Sequence, residues 1–187
     1  MNYVNTKQLL GLMLVSALAV TTVGCGEKAP QESTVTTETT PAAANVPAPQ
    51  LYQEGVEAYQ AGKFDVAAAK FKELAEQGDS PAQFNLGSLY RQGQGVEQND
   101  QQAALWWAKA ADQGHLDAMD NLGLRYAKGE GVEQDWVQAY KWFSIAGMRK
   151  NASAAENTKI ALSNMTPEQI DQAQVLAKEW MVQHPKK

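Results

Sequence analysis

An internal period constrains this chain more than any other feature. Ala82, Asn85, Leu86, Gly87, Tyr90, Gly93, Gly95, Val96, Glu97, Gln98, Gln102, Ala103, Trp106 and Ala110 recur 36 residues later as Ala118, Asn121, Leu122, Gly123, Tyr126, Gly129, Gly131, Val132, Glu133, Gln134, Gln138, Ala139, Trp142 and Ala146. A fixed period of this size builds a stack of similar units, each burying its apolar face on its neighbours, rather than a fold around one closed core.

Each unit is predicted to be a helix, a glycine turn and a second helix. Ala82, Leu86 and Tyr90, and their counterparts Ala118, Leu122 and Tyr126, stand four residues apart and form one buried stripe. Gly87 and Gly123 lie inside that stripe. A mid-helix glycine costs about 1 kcal/mol against alanine, so its recurrence points to a neighbouring helix passing too close for a side chain. Gly93 and Gly129 suit the left-handed residue that ends a helix. Asn99 with Gln102, and Asp135 with Gln138, are spaced as reciprocal capping pairs, which starts the second helices near 100 and 136. Ala103, Trp106, Trp107 and Ala110, and Ala139, Trp142, Phe143 and Ala146, form their apolar faces, so the tryptophans are expected in the core.

The pattern A-x-x-x-L-G-x-x-Y-x-x-G-x-G-V followed by A-x-x-W-x-x-x-A resembles the Sel-one-like repeat, a long-loop relative of the tetratricopeptide repeat. The resemblance is tight over 82–147 and looser over 50–187. It implies an all-α, right-handed solenoid of antiparallel helix pairs that serves as a scaffold for other proteins. Gly55, Tyr59, Gly62, Phe64, Ala67, Phe71 and Leu74 match tetratricopeptide spacing, with about five residues missing from the loop, so 50–78 is expected to be a first, shorter unit ahead of 79–114 and 115–150. Lys159 stands where the repeat wants glycine, and 151–187 is expected to be a C-terminal capping helix pair, since terminal units need a polar outer face. Thr166, Pro167 and Gln169 open its last helix, with Ile170, Ala173, Ala177 and Trp180 as the apolar stripe.

The amino-terminal segment has a different character. Lys7 is the one charged side chain before Cys25, and Leu9–Gly24 is an uncharged, largely apolar run, shorter than the roughly 20 residues a spanning helix needs. Residues 1–24 are therefore expected to be an export signal. Thr22, Val23, Gly24 and Cys25 resemble a bacterial lipobox, which implies lipidation of Cys25, the only cysteine in the chain. Thr22 departs from the usual leucine of that motif. Gly26 is not the aspartate of an inner-membrane retention signal, so the resemblance implies the periplasmic side of the outer membrane. Residues 25–49 carry Pro30, Pro41, Pro47 and Pro49 and almost no large apolar side chain, which predicts a solvated tether with a root-mean-square span of about 27 Å.

The composition supplies little for catalysis. There are 16 Lys and Arg against 21 Asp and Glu, and an acidic chain without a basic stripe would repel nucleic-acid phosphates. His115 and His184, the only histidines, form no metal-ligand spacing, and His115 is read as a solvent-exposed turn residue. Asp117 with Asp120, and Glu130 with Glu133, are read as solvated charge, with Asp117 also favouring a helix amino terminus. No catalytic residue, metal or cofactor is expected.

Binding has better candidates. Gln53, Asn85 and Asn121 each stand two residues before the inner glycine, and in tetratricopeptide grooves this position faces the concave surface. Asparagine is a poor helix former, so its recurrence in mid-helix needs a reason. Either the carboxamide grips the backbone of an extended peptide, or it bonds across the helix pair. Phe84, Ser88, Arg91, Leu124, Arg125 and Lys128 flank it. The leading reading is a membrane-tethered scaffold of the cell envelope that binds an envelope protein or peptide in this groove. One alternative is β-lactam binding or hydrolysis, associated with a cysteine-rich branch of the family whose disulfides this chain lacks. The other is self-association as a structural envelope protein.

Overall fold

The computed structural model describes residues 47–149 and 151–185, so the expected export signal, Cys25 and most of the expected tether lie outside the described residues. Eight helices follow in order: α1 (Ala48–Gln60), α2 (Phe64–Glu76), α3 (Ser80–Gln92), α4 (Asp100–Asp112), α5 (Leu116–Lys128), α6 (Trp136–Met148), α7 (Ala152–Leu162) and α8 (Pro167–Gln183). Among the described residues there is no strand, and no helix is long and apolar enough to cross a membrane. Helix α1 takes in Ala48 and Pro49, which had been assigned to the tether. Pro47 is its amino cap and Pro49 lies in its first turn, where a proline's missing N–H would have had no intrahelical partner.

The first six helices form three hairpins, α1/α2, α3/α4 and α5/α6, stacked so that α2 packs on α3 and α4 on α5. This is an all-α repeat solenoid. What joins each hairpin is an aromatic ring laid against the inner glycine. A Cβ built on Gly87 would lie 2.8 Å from Trp107 Cδ1, one on Gly55 would lie 2.8 Å from Phe71 Cε1, and one on Gly123 would lie 2.6 Å from Phe143 Cε1. The neighbouring helix expected close to Gly87 and Gly123 makes its approach chiefly through a ring, with the Ala103 backbone oxygen also 3.1 Å from a Cβ built on Gly87. These rings are buried, as are Trp106 and Trp142, so the aromatic stripe is core.

Gly93 and Gly129 end α3 and α5 in the left-handed conformation, at φ 65° and 71°. The loops that follow reach back to the preceding unit, with Gly95 against the backbone of Phe64 and Gly131 against that of Asp100. The first loop, 61–63, has three residues where 93–99 and 129–135 have seven, so four residues are missing rather than five. Among the described residues no earlier hairpin precedes α1 for a longer loop to dock on.

Caps follow the repeat with one substitution of chemistry. Asp79, His115 and Asn151, spaced 36 apart, each accept from the backbone N–H three residues on. At α4 and α6 the side chains of Asn99 and Asp135 accept as expected, but the reciprocal glutamine bond forms only at Thr166 and Gln169 among the described residues.

The last two helices differ from the hairpins. Helix α7 packs on α6, and Gly147 lets its backbone approach so closely that an added Cβ would lie 3.0 Å from Ala155 Cα. Helix α8 also rests on α6, through Ala173, Ala177 and Trp180, whose ring meets that of Trp142 edge-on at 6.0 Å. The capping pair is thus two helices docked on α6, not a fourth ring-and-glycine hairpin. Lys159 replaces the inner glycine and points to solvent, where it pairs with Glu156 at 2.7 Å, so α7 has no notch to receive a ring.

Candidate functional site

The first helices α1, α3 and α5 line up their inner faces, and two clefts open between them. The cleft between α1 and α3, about 470 Å³, is largely aromatic, with Tyr52, Val56, Phe71, Phe84 and Asn85 in its wall. The cleft between α3 and α5, about 260 Å³, is lined by Arg91, Trp107, Asn121, Leu124 and Arg125. Ser88 and Gln92 border both, which makes the two clefts one groove. Phe71 and Trp107, the rings seated on Gly55 and Gly87, are repeat counterparts contributed by the second helix of each pair.

The asparagines occupy equal positions and unequal surroundings. In each case the matching position on the preceding first helix, three before its inner glycine, holds a different residue: Tyr52, Phe84 or Asp120. Asn85 Nδ2 donates to the Tyr52 hydroxyl at 3.0 Å, and in the cap Asn157 Nδ2 donates to Asp120 Oδ1 at 2.9 Å. The residue at the matching register for Asn121 is Phe84, whose ring carries no acceptor, and the Asn121 carboxamide has no hydrogen-bond partner among the described residues. Of the two sequence readings, bonding across the stack describes Asn85, while Asn121 is left open to the cleft.

The remaining candidates separate in the same way. Phe84 and Ser88 line the groove, and the Phe84 carbonyl accepts from both the Ser88 hydroxyl and Trp107 Nε1, at 3.0 and 3.2 Å. Gln53 is exposed, donates to Glu57 at 3.1 Å and lines neither cleft, and among the described residues no helix precedes α1 for it to face. Lys128, exposed at the end of α5, also lines neither. Arg91 is exposed at the mouth of the second cleft, and Leu124 is half-buried in its wall.

Arg125 is only 2% exposed. Its Nη1 pairs with Glu130, its guanidinium lies by the Trp107 ring, and its Nε is buried without a partner. Burial pulls its pKa down, the nearby charge of Arg91 adds to that, and Glu130 and Asp100 oppose it.

Several sequence readings need correction here. His115 is half-buried: its Nδ1 accepts from Ala118 N–H at 3.3 Å, and its ring stacks on Phe84 at 4.5 Å. Burial lowers its pKa, against the opposing charge of Asp117. Asp117 and Asp120 accept from Asn151 and Asn157, which ties α7 to α5, and Glu130 holds Arg125, so three of the four acids read as merely solvated are engaged. Tyr52, Val56 and Trp107 were not read as groove residues. The signal for Tyr52 was its register, one residue ahead of Gln53. Among the described residues no cluster of three or more His, Cys, Asp or Glu is placed to hold a metal.

Comparison with known proteins gives this arrangement a lineage. The family model described as Sel1 repeat matches residues 80–115 and 116–151. Two solved structures share the fold. One is a protective antigen present in uropathogenic Escherichia coli strains and displaying an SLR fold, 36% identical, with a TM-score of 0.69 over 72% of this chain and 30% of its own. The other is a Sel1 repeat protein from Oxalobacter formigenes, 32% identical, with a TM-score of 0.57 over 69% of this chain and 55% of its own. The chain therefore spans 30% of the length of the first structure and 55% of the second. No curated protein matches it.

Proposed function

The chain carries two Sel1 repeats, and from that premise we propose that it is a non-enzymatic scaffold that holds an extended segment of another protein in the groove across α1, α3 and α5. Sel1 repeats commonly mediate protein–protein interaction. The observation that carries the reading to this face is the unpartnered carboxamide of Asn121 in the wall of the α3/α5 cleft, which shares Ser88 and Gln92 with the aromatic cleft beside it. A carboxamide both donates and accepts, which matches the alternating donors and acceptors of an extended backbone. Neither histidine lines the groove: His115 serves as a helix cap and His184 is stacked on Trp180, while the Ser88 hydroxyl donates to the Phe84 carbonyl.

We further propose that the scaffold is held in the bacterial envelope, on the periplasmic side of the outer membrane, through lipidated Cys25. Support comes from the sequence alone, in the apolar run ending at the chain's single cysteine. Multiple acyl chains anchor a protein firmly, because each buried CH₂ contributes about 0.8 kcal/mol.

Cross-linking in intact cells, followed by capture from solubilised membranes, tests the scaffold. The wild type is expected to retain a partner that Asn121→Ala loses; identical captures would sink the groove. Fractionation tests the anchor. The Cys25→Ala protein is expected to leave the membrane fraction after a salt wash, and full retention would contradict lipidation.

A further inference from the structure

We infer that the cleft between α3 and α5 receives the side-chain carboxylate of the bound segment, with an apolar side chain of the same segment in the neighbouring aromatic cleft. This rests on the groove reading above and adds the chemistry of the ligand.

Charge comes first. Two guanidinium groups, Arg91 and Arg125, line one small cleft, near enough for each to oppose the other's charge. Glu130 neutralises one of them through Arg125 Nη1, and Arg91 has no ion-pair partner among the described residues. Asp100 is a further acid near Arg125, outside the cleft lining, so Arg91 is the one guanidinium of the cleft without an ion pair, in a chain whose formal net charge is −5. Donors come second. Arg125 Nε is buried without a partner, and the Asn121 carboxamide is unpartnered. An apolar occupant would bury these donors unmet, and a cation would be repelled. A carboxylate supplies one negative charge and two acceptor atoms, and charge-assisted bonds of this kind are the strong ones. A phosphoryl group, at about −2, would exceed the single free charge.

The spacing of the ligand residues follows from the shared wall. An extended chain directs alternate side chains to one face, roughly 6.6 Å apart. Two clefts with Ser88 and Gln92 in common adjoin each other, so the expected motif takes the shortest same-face interval, an aromatic or aliphatic residue two positions from Asp or Glu. A side-chain carboxylate is preferred over a chain terminus because it reaches the small cleft on one or two methylenes, without the bulk of the terminal residue.

The test is a selection from random heptapeptides with blocked ends, using the full chain in detergent. Retained peptides are expected to pair an apolar residue with Asp or Glu two positions away. Affinity should fall about tenfold when that acid becomes its amide, and by a similar factor in Arg91→Gln. Arg125→Gln should do the same if its melting temperature matches the wild type, and Arg91→Gln, on an exposed residue, decides the matter if it does not. Peptides retained through Asn121 yet indifferent to the loss of their acid would overturn the inference and leave the groove standing. A parallel library with free carboxyl ends that enriches without an internal acid would overturn the side-chain source. Retention of no peptide, or retention unchanged by Asn121→Ala, would overturn the groove and the inference with it.

Discussion

Asn85 and Asn121 are the same residue at the same register of the same repeat, and they do different things. Asn85 is tied to the preceding helix by the Tyr52 hydroxyl, while the register that would serve Asn121 holds Phe84, which offers no hydroxyl, and Asn121 stays open. The difference comes down to one hydroxyl group on a neighbour. In a stacked protein the repeat dictates backbone and core, but the availability of a groove residue is set by the unit before it. The first cleft is accordingly aromatic and internally bonded, and the second is cationic and unsatisfied.

The largest effects should come from breaking the joints beneath the two clefts. Gly55→Val would drive Phe71 out of its seat and Gly87→Val would displace Trp107, each by overpacking that costs about 1 to 3 kcal/mol. Both variants should unfold at lower urea, and an unchanged midpoint in either would mean that ring and glycine are not in contact.

A smaller change should erase the contrast between the asparagines. Phe84→Tyr places a hydroxyl where the preceding unit has that of Tyr52, giving Asn121 an acceptor and about 0.5 to 1.5 kcal/mol of stability. Its melting temperature should rise while peptide binding weakens; stronger binding would show that Asn121 is not the grip.

The mildest effect concerns the histidine stacked on Phe84. Burial holds the His115 pKa below its ordinary value of about 6.5, so the unfolded chain takes up the proton first. Stability associated with His115 is therefore complete above about pH 6.5 and declines as pH falls through that value. His115→Asn keeps a good cap without this titration. Between about pH 7 and pH 5 the variant should lose less melting temperature than the wild type, and parallel curves would remove His115 from the account.

Much of the fold was legible because identical residues at a fixed period can satisfy only a stacked arrangement. The left-handed turns at Gly93 and Gly129 and the starts of α4 and α6 followed from local chemistry. What fills the notch at Gly87 was not legible, since the pattern marks a missing side chain without saying whether backbone or ring replaces it. His115 was misread because histidine is an uncommon cap; the clue was Asp79 and Asn151 at the same register. Lys159 announced a departure from the repeat, but that α8 would settle on Trp142 depends on which surface of α6 is left uncovered. The groove residues Asn85, Ser88 and Asn121 were visible as a pattern. Their division into bonded and open required knowing that Asn85 reaches the Tyr52 hydroxyl across the stack, a register at which the next unit has Phe84.

The most direct test of the account is a binding titration of a peptide recovered by selection against the two single variants Asn85→Ala and Asn121→Ala. Alanine is the better helix former, so neither fold should fail. Loss of one hydrogen bond predicts that Asn121→Ala weakens binding about two- to tenfold, while Asn85→Ala stays near the wild-type affinity. Equal losses, or a larger loss at Asn85, would contradict the claim that the neighbour in the preceding unit decides which asparagine binds.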